Sequence, residues 1–448
     1  MIASAGVEPG RARPRLTGMR KQLRVATRLT AAPVLALVLA GCGSAQPVSP
    51  ASSPIMARGV AAREPMASPR PYGAADTAFG LNVLAALCRA DPQANLVLSP
   101  SSLASGLGMA YLGARGGTAQ AMASVLHLPV AAGPSLEAGL QARSAALRSL
   151  DSPGVTLAAS DQVWTDPSLI TLRSYLNAVA TGYDAGVARV PLRSNPDRAA
   201  QQINAAIAAA TRDQIPQLLA PGSLNGIGWV LTDALYLKAA WATPFQASQT
   251  SPGPFTTAAG HQVSAEFMNG GDYRVASEAG WTAVSLPYRG GKLAMTALLP
   301  ASGAGGCEMP TASALAAMTA RLTAAGPPSP VGLLTRSVAL PRVNLGTKVS
   351  MKSLLSELGM GVAFTGSADF TGLSPQACCI GLVEQAATLR VGEQGTVASA
   401  ATAVGMAPTA ILAHPLKVVF DRPYLLLVTD IATGEPLFLA RVADPAAH

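Results

Sequence analysis

The sequence predicts an α+β fold, and three observations carry that prediction. Residues 74–90 place Phe79, Leu81, Leu84 and Leu87 at helical spacing. Residues 229–237 and 382–392 read instead as strands, the second built on Val383, Leu389 and Val391. Of the 448 residues, 49% are apolar and 12% charged, which allows a sizeable core and argues against intrinsic disorder beyond the N-terminus. Length alone would accommodate two or three average domains.

At the N-terminus, Met19 opens a basic stretch followed by an apolar run over residues 29–41, too short to span a bilayer as a mature helix. The run ends Leu39-Ala40-Gly41 before Cys42, which resembles a bacterial lipobox. Residues 1–41 therefore read as a lipoprotein signal peptide whose true start is Met19, with Cys42 the lipid-modified first residue of the mature chain. The expectation that follows is an exported lipoprotein held on the bacterial cell membrane and facing outward, extracellular or periplasmic. Residues 42–73, rich in Ser, Pro and Ala without apolar periodicity, read as a flexible tether.

The formal charge of +8 would by itself suggest an anionic partner. Residues 1–41, however, hold seven basic side chains against Glu8, leaving 25 basic and 23 acidic residues beyond them, a balance of +2. With no basic stripe interleaved with aromatics, nucleic acid is excluded as a partner. Besides Cys42 there are Cys88, Cys307, Cys378 and Cys379. An exported protein can pair such cysteines, but spacing does not give their connectivity. No Cys-x-x-Cys motif or His/Cys cluster points to a metal, and no cofactor is expected.

Past the helix of residues 74–90, residues 95–98 form a short strand-like run. Ser99-Pro100 then fits a helix start, serine capping and proline in the first turn, with the helix running to Gly113. Asn195-Pro196 opens another helix, through Ala210. The strand from Trp229 is followed by Trp241. After the strand of residues 382–392 comes EQGTVASAAT, residues 393–402. At period two, Thr396, Ala398, Ala400 and Thr402 share one face, and no side chain on either face is large. Such a stretch has too little apolar area for a core strand and no charge or proline against pairing. It reads equally as loop or strand.

Several segments in order resemble the serpins. They are NLVLSPSSLASGLGMAYLGARGGT (residues 95–118), LTDALYLKAAWATPF (231–245), LPY (286–288), MTALLP (295–300), LGMGVAF and ADFTGLS (358–374), and FDRPYLLLV (420–428), with Tyr424 where phenylalanine is usual. The resemblance covers roughly residues 74–445. It implies a single serpin domain over residues 74–448, with a large five-stranded central sheet, two further sheets, about eight or nine helices and an exposed reactive loop. It makes Glu393, Gly395, Thr396, Ala398, Ala400 and Thr402 the hinge that slides into the sheet. Trp241 stands where the loop first enters, and Ser99, Ser102, Asp233 and Gln385 stand at the latch beneath the parting strands. Asp233 and Gln385 replace the family's usual asparagine and histidine, so a hydrogen bond is retained and the histidine's pH response is not.

The implied activity is suicide-substrate inhibition of a serine or cysteine protease by a monomer, not an enzyme. Counting from Glu393 and back from Phe420 brackets the scissile bond within Thr409, Ala410, Ile411 and Leu412. None is basic, which points to elastase-, subtilisin- or chymotrypsin-like targets. The alternative is a non-inhibitory serpin acting as a binding or chaperone-like surface lipoprotein. Hydrolase chemistry is disfavoured: no lysine lies three residues after a serine, there is no Gly-x-Ser-x-Gly, and His127, His261, His414 and His448 lack neighbours that suggest a triad.

Overall fold

The computed structural model describes residues 53–65, 67–301, 306–323, 335–396 and 417–447. In chain order, strand β1 (Ile55–Ala57) precedes helix α1 (Arg70–Ala90), β2 (Leu96–Leu98), α2 (Pro100–Gly113), α3 (Gly116–Val125) and α4 (Pro134–Arg148). Next come β3 (Val155–Ala159), β4 (Gln162–Thr165), α5 (Arg173–Tyr183), β5 (Val187–Arg189), α6 (Pro196–Ala210) and β6 (Trp229–Ala240). They are followed by β7 (Ser251–Thr256), β8 (Gln262–Glu278), β9 (Trp281–Pro287), β10 (Leu293–Pro300), α7 (Ala312–Thr323), β11 (Thr335–Pro341), β12 (Val343–Ser350) and the short α8 (Lys352–Leu355). Last are β13 (Val383–Gly392), β14 (Gly395–Thr396), β15 (Lys417–Val419), β16 (Tyr424–Asp430) and β17 (Pro436–Val442).

Two sheets organise these elements. The first runs β1-β5-β4-β6-β14-β13-β12, with β3 also on β6. Strands β3 and β4 pair with consecutive stretches of β6, Val155–Ala159 against Ala239 to Leu235 and Gln162–Thr165 against Thr232 to Trp229. They are one strand broken at Ser160-Asp161, so the sheet has five principal strands with β1 on one edge and β14 set inside. The second sheet runs β15-β11-β8-β9-β10-β16-β17-β2, with β7 on β8. The two further sheets implied by the sequence are the halves of this path, joined because the 17-residue β8 serves both.

Local chemistry explains the helix starts. The Ser99 side chain accepts from Ser102 N, the Asn195 side chain accepts from Arg198 N, and a proline follows each cap. Strand β6 is buried along almost its whole length, as a central strand must be. Its alternation sends Val230 and Ala234 towards α6, where Ile203, Ile207 and Trp164 cover them, and sends Leu235 and Leu237 towards the second sheet. Each fully buried isoleucine of α6 contributes about 1.5–3 kcal/mol of transfer free energy, which seats that helix across the sheet.

The N-terminal segment departs from its reading as a tether. Residues 55–57 add an antiparallel edge strand to β5, Val60 N donates to Asn177 Oδ1 (2.9 Å), and Ala62 N donates to Thr181 Oγ1 (2.8 Å). Helix α1 begins at Arg70, four residues before the domain start expected from the sequence. Edge pairing uses backbone groups alone, so no side-chain periodicity announces it. Cys88 and Cys307 form a disulfide.

Candidate functional site

The site is the seam between β6 and β13. These strands run parallel and pair only from Leu231–Leu235 against Val383–Ala387. Above that, the chain leaves β13, turns at Glu393-Gln394 and comes back as β14, Gly395 opposite Ala240 and Thr396 opposite Ala239 on one side, with Val391 and Gly392 on the other. Between the closed end and β14, among the described residues, no ladder joins Tyr236–Lys238 to Thr388–Arg390. The seam is therefore closed at one end and occupied at the other by two residues of the chain returning from β13.

Residue choice at the entrance follows from space. Gly395 has φ +142°, and a Cβ there would lie 2.1 Å from the Ala239 carbonyl oxygen, so only glycine makes the turn. Thr396 is fully buried and its Oγ1 lies 2.5 Å from Tyr288 Oη. Tyr288 stacks on Trp241 with ring centroids 4.5 Å apart. Trp241 Nε1 donates to Gly392 O (2.9 Å) and Trp241 N donates to Gln394 O (2.9 Å), so this tryptophan clamps the turn from both sides. Glu393 O accepts from Phe245 N, and Glu393 Oε1 accepts from Thr250 Oγ1 (2.7 Å) and Arg342 Nε (2.7 Å). Burial alone would raise the Glu393 carboxyl, but the Arg342 and Thr250 bonds outweigh it and hold it below its ordinary range.

At the closed end, Gln385 and Asp233 stand directly opposite in the parallel register, and Gln385 Nε2 donates to Asp233 Oδ1 (3.0 Å) and to Ser99 O (3.0 Å). The Gln385–Asp233 bond anticipated from the sequence is present. Ser99 engages the latch through its backbone carbonyl, its side chain being the α2 cap. Ser102 turns elsewhere, its hydroxyl donating to Asp161 Oδ1 at the break between β3 and β4.

Asp161 belongs to a buried polar layer that sequence reading missed. Arg143 of α4 donates to Asp76 Oδ2 (2.8 Å), Ser105 Oγ (2.8 Å) and Ser101 O (2.6 Å), and pairs with Glu435 Oε1 (2.7 Å). Burial would lower the guanidinium, but Asp76 and Glu435 raise it and keep it charged. Burial pushes Asp161 up to about 7 despite Ser102 and Arg143, and it raises Asp233 as well, with the Asp161 charge adding to the effect. The one signal in the sequence was an aspartate interrupting a β-prone run at residues 155–165. Tyr288, Arg342 and Thr250 were also missed, since each meets the turn only through tertiary contact.

Ala398, Ala400 and Thr402 of the expected hinge, the scissile region Thr409 to Leu412, and Cys42 lie outside the described residues.

A family model described as serpin (serine protease inhibitor) matches residues 74–445. The chain is 29% identical over 382 residues to the leukocyte elastase inhibitor of Bos taurus, covering 83% of this chain and 99% of that one. It is likewise 29% identical over 367 residues to Ipis-1 of Ixodes persulcatus, covering 79% and 93%. Among solved structures, native tengpin, a thermophilic serpin, superposes with a TM-score of 0.74 at 22% identity, covering 87% of this chain and 97% of that one. Uncleaved ovalbumin superposes at 0.71 with 23% identity, covering 85% and 100%. With an ordered set of motifs, a parted central sheet and a family match over most of its length, this chain belongs to the serpin family.

Proposed function

We propose that this protein is a suicide-substrate inhibitor that traps a serine protease, or a cysteine protease, by inserting its cleaved loop into the seam between β6 and β13. The observation that carries this reading is β14: Gly395 and Thr396 already occupy the entrance in antiparallel register, so strand addition has a nucleus. Residues 397–416 link that nucleus to β15 on the second sheet. Cutting within them releases one end, and the small side chains of Ala398, Ala400 and Thr402 suit passage between two closely spaced strands. Relatives named leukocyte elastase inhibitor support inhibition as the activity. The cleaved loop gains ladder hydrogen bonds along β6 and β13, and that gain drives insertion while the protease is still acylated.

The absence of a basic side chain at Thr409, Ala410, Ile411 and Leu412 favours elastase-, subtilisin- or chymotrypsin-like targets over trypsin. Incubation with a protease panel is expected to yield an SDS-stable complex with the first group and a released C-terminal peptide beginning within residues 410–413. A stable trypsin complex, or a first cut outside residues 406–413, overturns the target assignment. Turnover by every protease without a trapped complex assigns the protein to the non-inhibitory, binding branch. The same proposal places it as an outward-facing membrane lipoprotein: lipid labelling is expected at Cys42 and is lost in Cys42→Ala, and a mature form starting well away from residue 42 refutes it.

A further inference from the structure

Cys378 and Cys379 take no part in the seam or in the Cys88–Cys307 disulfide. They are adjacent, Cys378 exposed and Cys379 half-buried, and their Sγ atoms lie 3.0 Å apart. The backbone around them is neither helix nor strand, and it is pinned on both sides. Ala377 N donates to Ser374 O (3.0 Å), Ile380 N donates to Ala363 O (2.9 Å), and the Ala377 and Ile380 side chains are buried. Two buried anchors thus present two thiols side by side at the surface.

We propose that Cys378 and Cys379 are a reversible dithiol site that exchanges with low-molecular-weight disulfides. The exposed Cys378 attacks first: its thiolate displaces one thiolate from the disulfide reagent and leaves a mixed disulfide on Cys378. Cys379, already in contact, then attacks Cys378 Sγ and expels the second thiolate. Two protein thiols and one reagent disulfide become one vicinal disulfide and two reagent thiols, with no electron unaccounted for. In the reduced protein, burial and the neighbouring Cys378 push the Cys379 thiol up to about 11, which leaves Cys378 the first nucleophile, while the 3.0 Å contact places Cys379 for the second step.

Covalent geometry makes the product labile. Adjacent Cα atoms sit about 3.8 Å apart, below the roughly 4.4–6.8 Å that disulfides favour. The Cys88–Cys307 pair, at 5.5 Å, is within that range. A ring closed between neighbours is therefore more easily reduced than the structural bridge. The site also sits at the foot of the seam: the Leu382 carbonyl accepts from Leu231 N (3.1 Å), and Val383 begins β13.

The test is to treat the full chain with oxidised glutathione and map its peptides by mass spectrometry without reduction. The expected result is a peptide carrying Cys378 and Cys379 that has lost two hydrogens and holds no glutathione. Cys379→Ser is expected to retain one glutathione on Cys378. Mild dithiothreitol is expected to restore both thiols while Cys88–Cys307 survives. Glutathione retained on Cys378 of the unmutated protein, one adduct on each cysteine, or a bond to a second copy of the chain would each overturn the proposal.

Discussion

Replacing Asp161 with asparagine is expected to stabilise the native protein at neutral pH and to flatten its response to pH. Asp161 lies at the break between β3 and β4, with the Ser102 hydroxyl bonded to it, Ser105 and Arg143 below, and Asp233 across the latch. Its folded pKa is raised from 3.8 to about 7. The sign follows directly. A carboxyl raised on folding weakens the native state wherever the unfolded chain would ionise it, so its cost is absent below pH 3.8, grows as pH rises, and is complete above about 7. The full displacement corresponds to about 4 kcal/mol, of which about 2 kcal/mol accrues between roughly pH 5.5 and 8. Both are upper figures, because Asp161 keeps partial contact with solvent. Asparagine keeps a group able to bond Ser102 and removes the charge. Urea unfolding followed by tryptophan fluorescence at pH 5.5 and 8 is the assay. The variant is expected to gain most at pH 8 and to lose part of the parent's decline between the two. An Asp161→Asn protein that is less stable than the parent at pH 8, or whose pH dependence is unchanged, refutes the account of a half-buried acid held against its ionisation.

Thr396→Arg puts a cation into a fully buried position against Tyr288, a cost of several kcal/mol; cleavage is expected to persist while the trapped complex gives way to turnover on SDS gels. Arg143→Met leaves Asp76 and Glu435 buried without their partner, and chemical unfolding is expected to report a loss of about 3–5 kcal/mol. Removing the Cys88–Cys307 bridge as a double alanine variant opens a loop with a sequence separation of 219. On chain entropy this costs at most about 5 kcal/mol, visible as a lower urea midpoint, with a steeper slope because the unlinked unfolded chain exposes more surface. Gly395→Ala is expected to expel β14 from the seam, since the added methyl collides with the Ala239 carbonyl; limited proteolysis around residues 393–397 should then speed up.

What the sequence made legible is local or periodic. Helix α2 announces itself through Ser99-Pro100, and α6 through Asn195-Pro196. Strand β13 is read from the alternation of Val383, Leu389 and Val391, whereas the residues of Gly395-Thr396 read equally as loop or strand and only the serpin resemblance marks them as a hinge. The rest depends on residues distant in the chain. Asp161 meets Ser102, 59 positions away, and Arg143 meets Asp76 across 67, so no window contains the buried polar layer. Strand β1 hides for another reason: its pairing to β5 is made by backbone groups, and Ile55 itself is 70% exposed.

The latch and the entrance use opposite chemistry. At the entrance, Trp241 holds the turn through two backbone carbonyls, Arg342 through the Glu393 carboxylate, which is held below its ordinary range, and Tyr288 through the Thr396 hydroxyl. Those bonds favour a chain with Gly395 and Thr396 inside the sheet; under the proposed mechanism, that is where insertion starts. At the closed end, Gln385 bridges β13 to β6 and to Ser99, while the Asp233 Oδ2 and Gln385 Oε1 atoms are buried without a partner among the described residues. An unsatisfied buried polar atom costs about 1–3 kcal/mol, so the Gln385–Asp233 contact across the seam is itself under-satisfied. Under the proposed mechanism, a well-bonded entrance and an under-satisfied contact at the closed end suit a seam that fills from the β14 end, the direction a cleaved loop would travel.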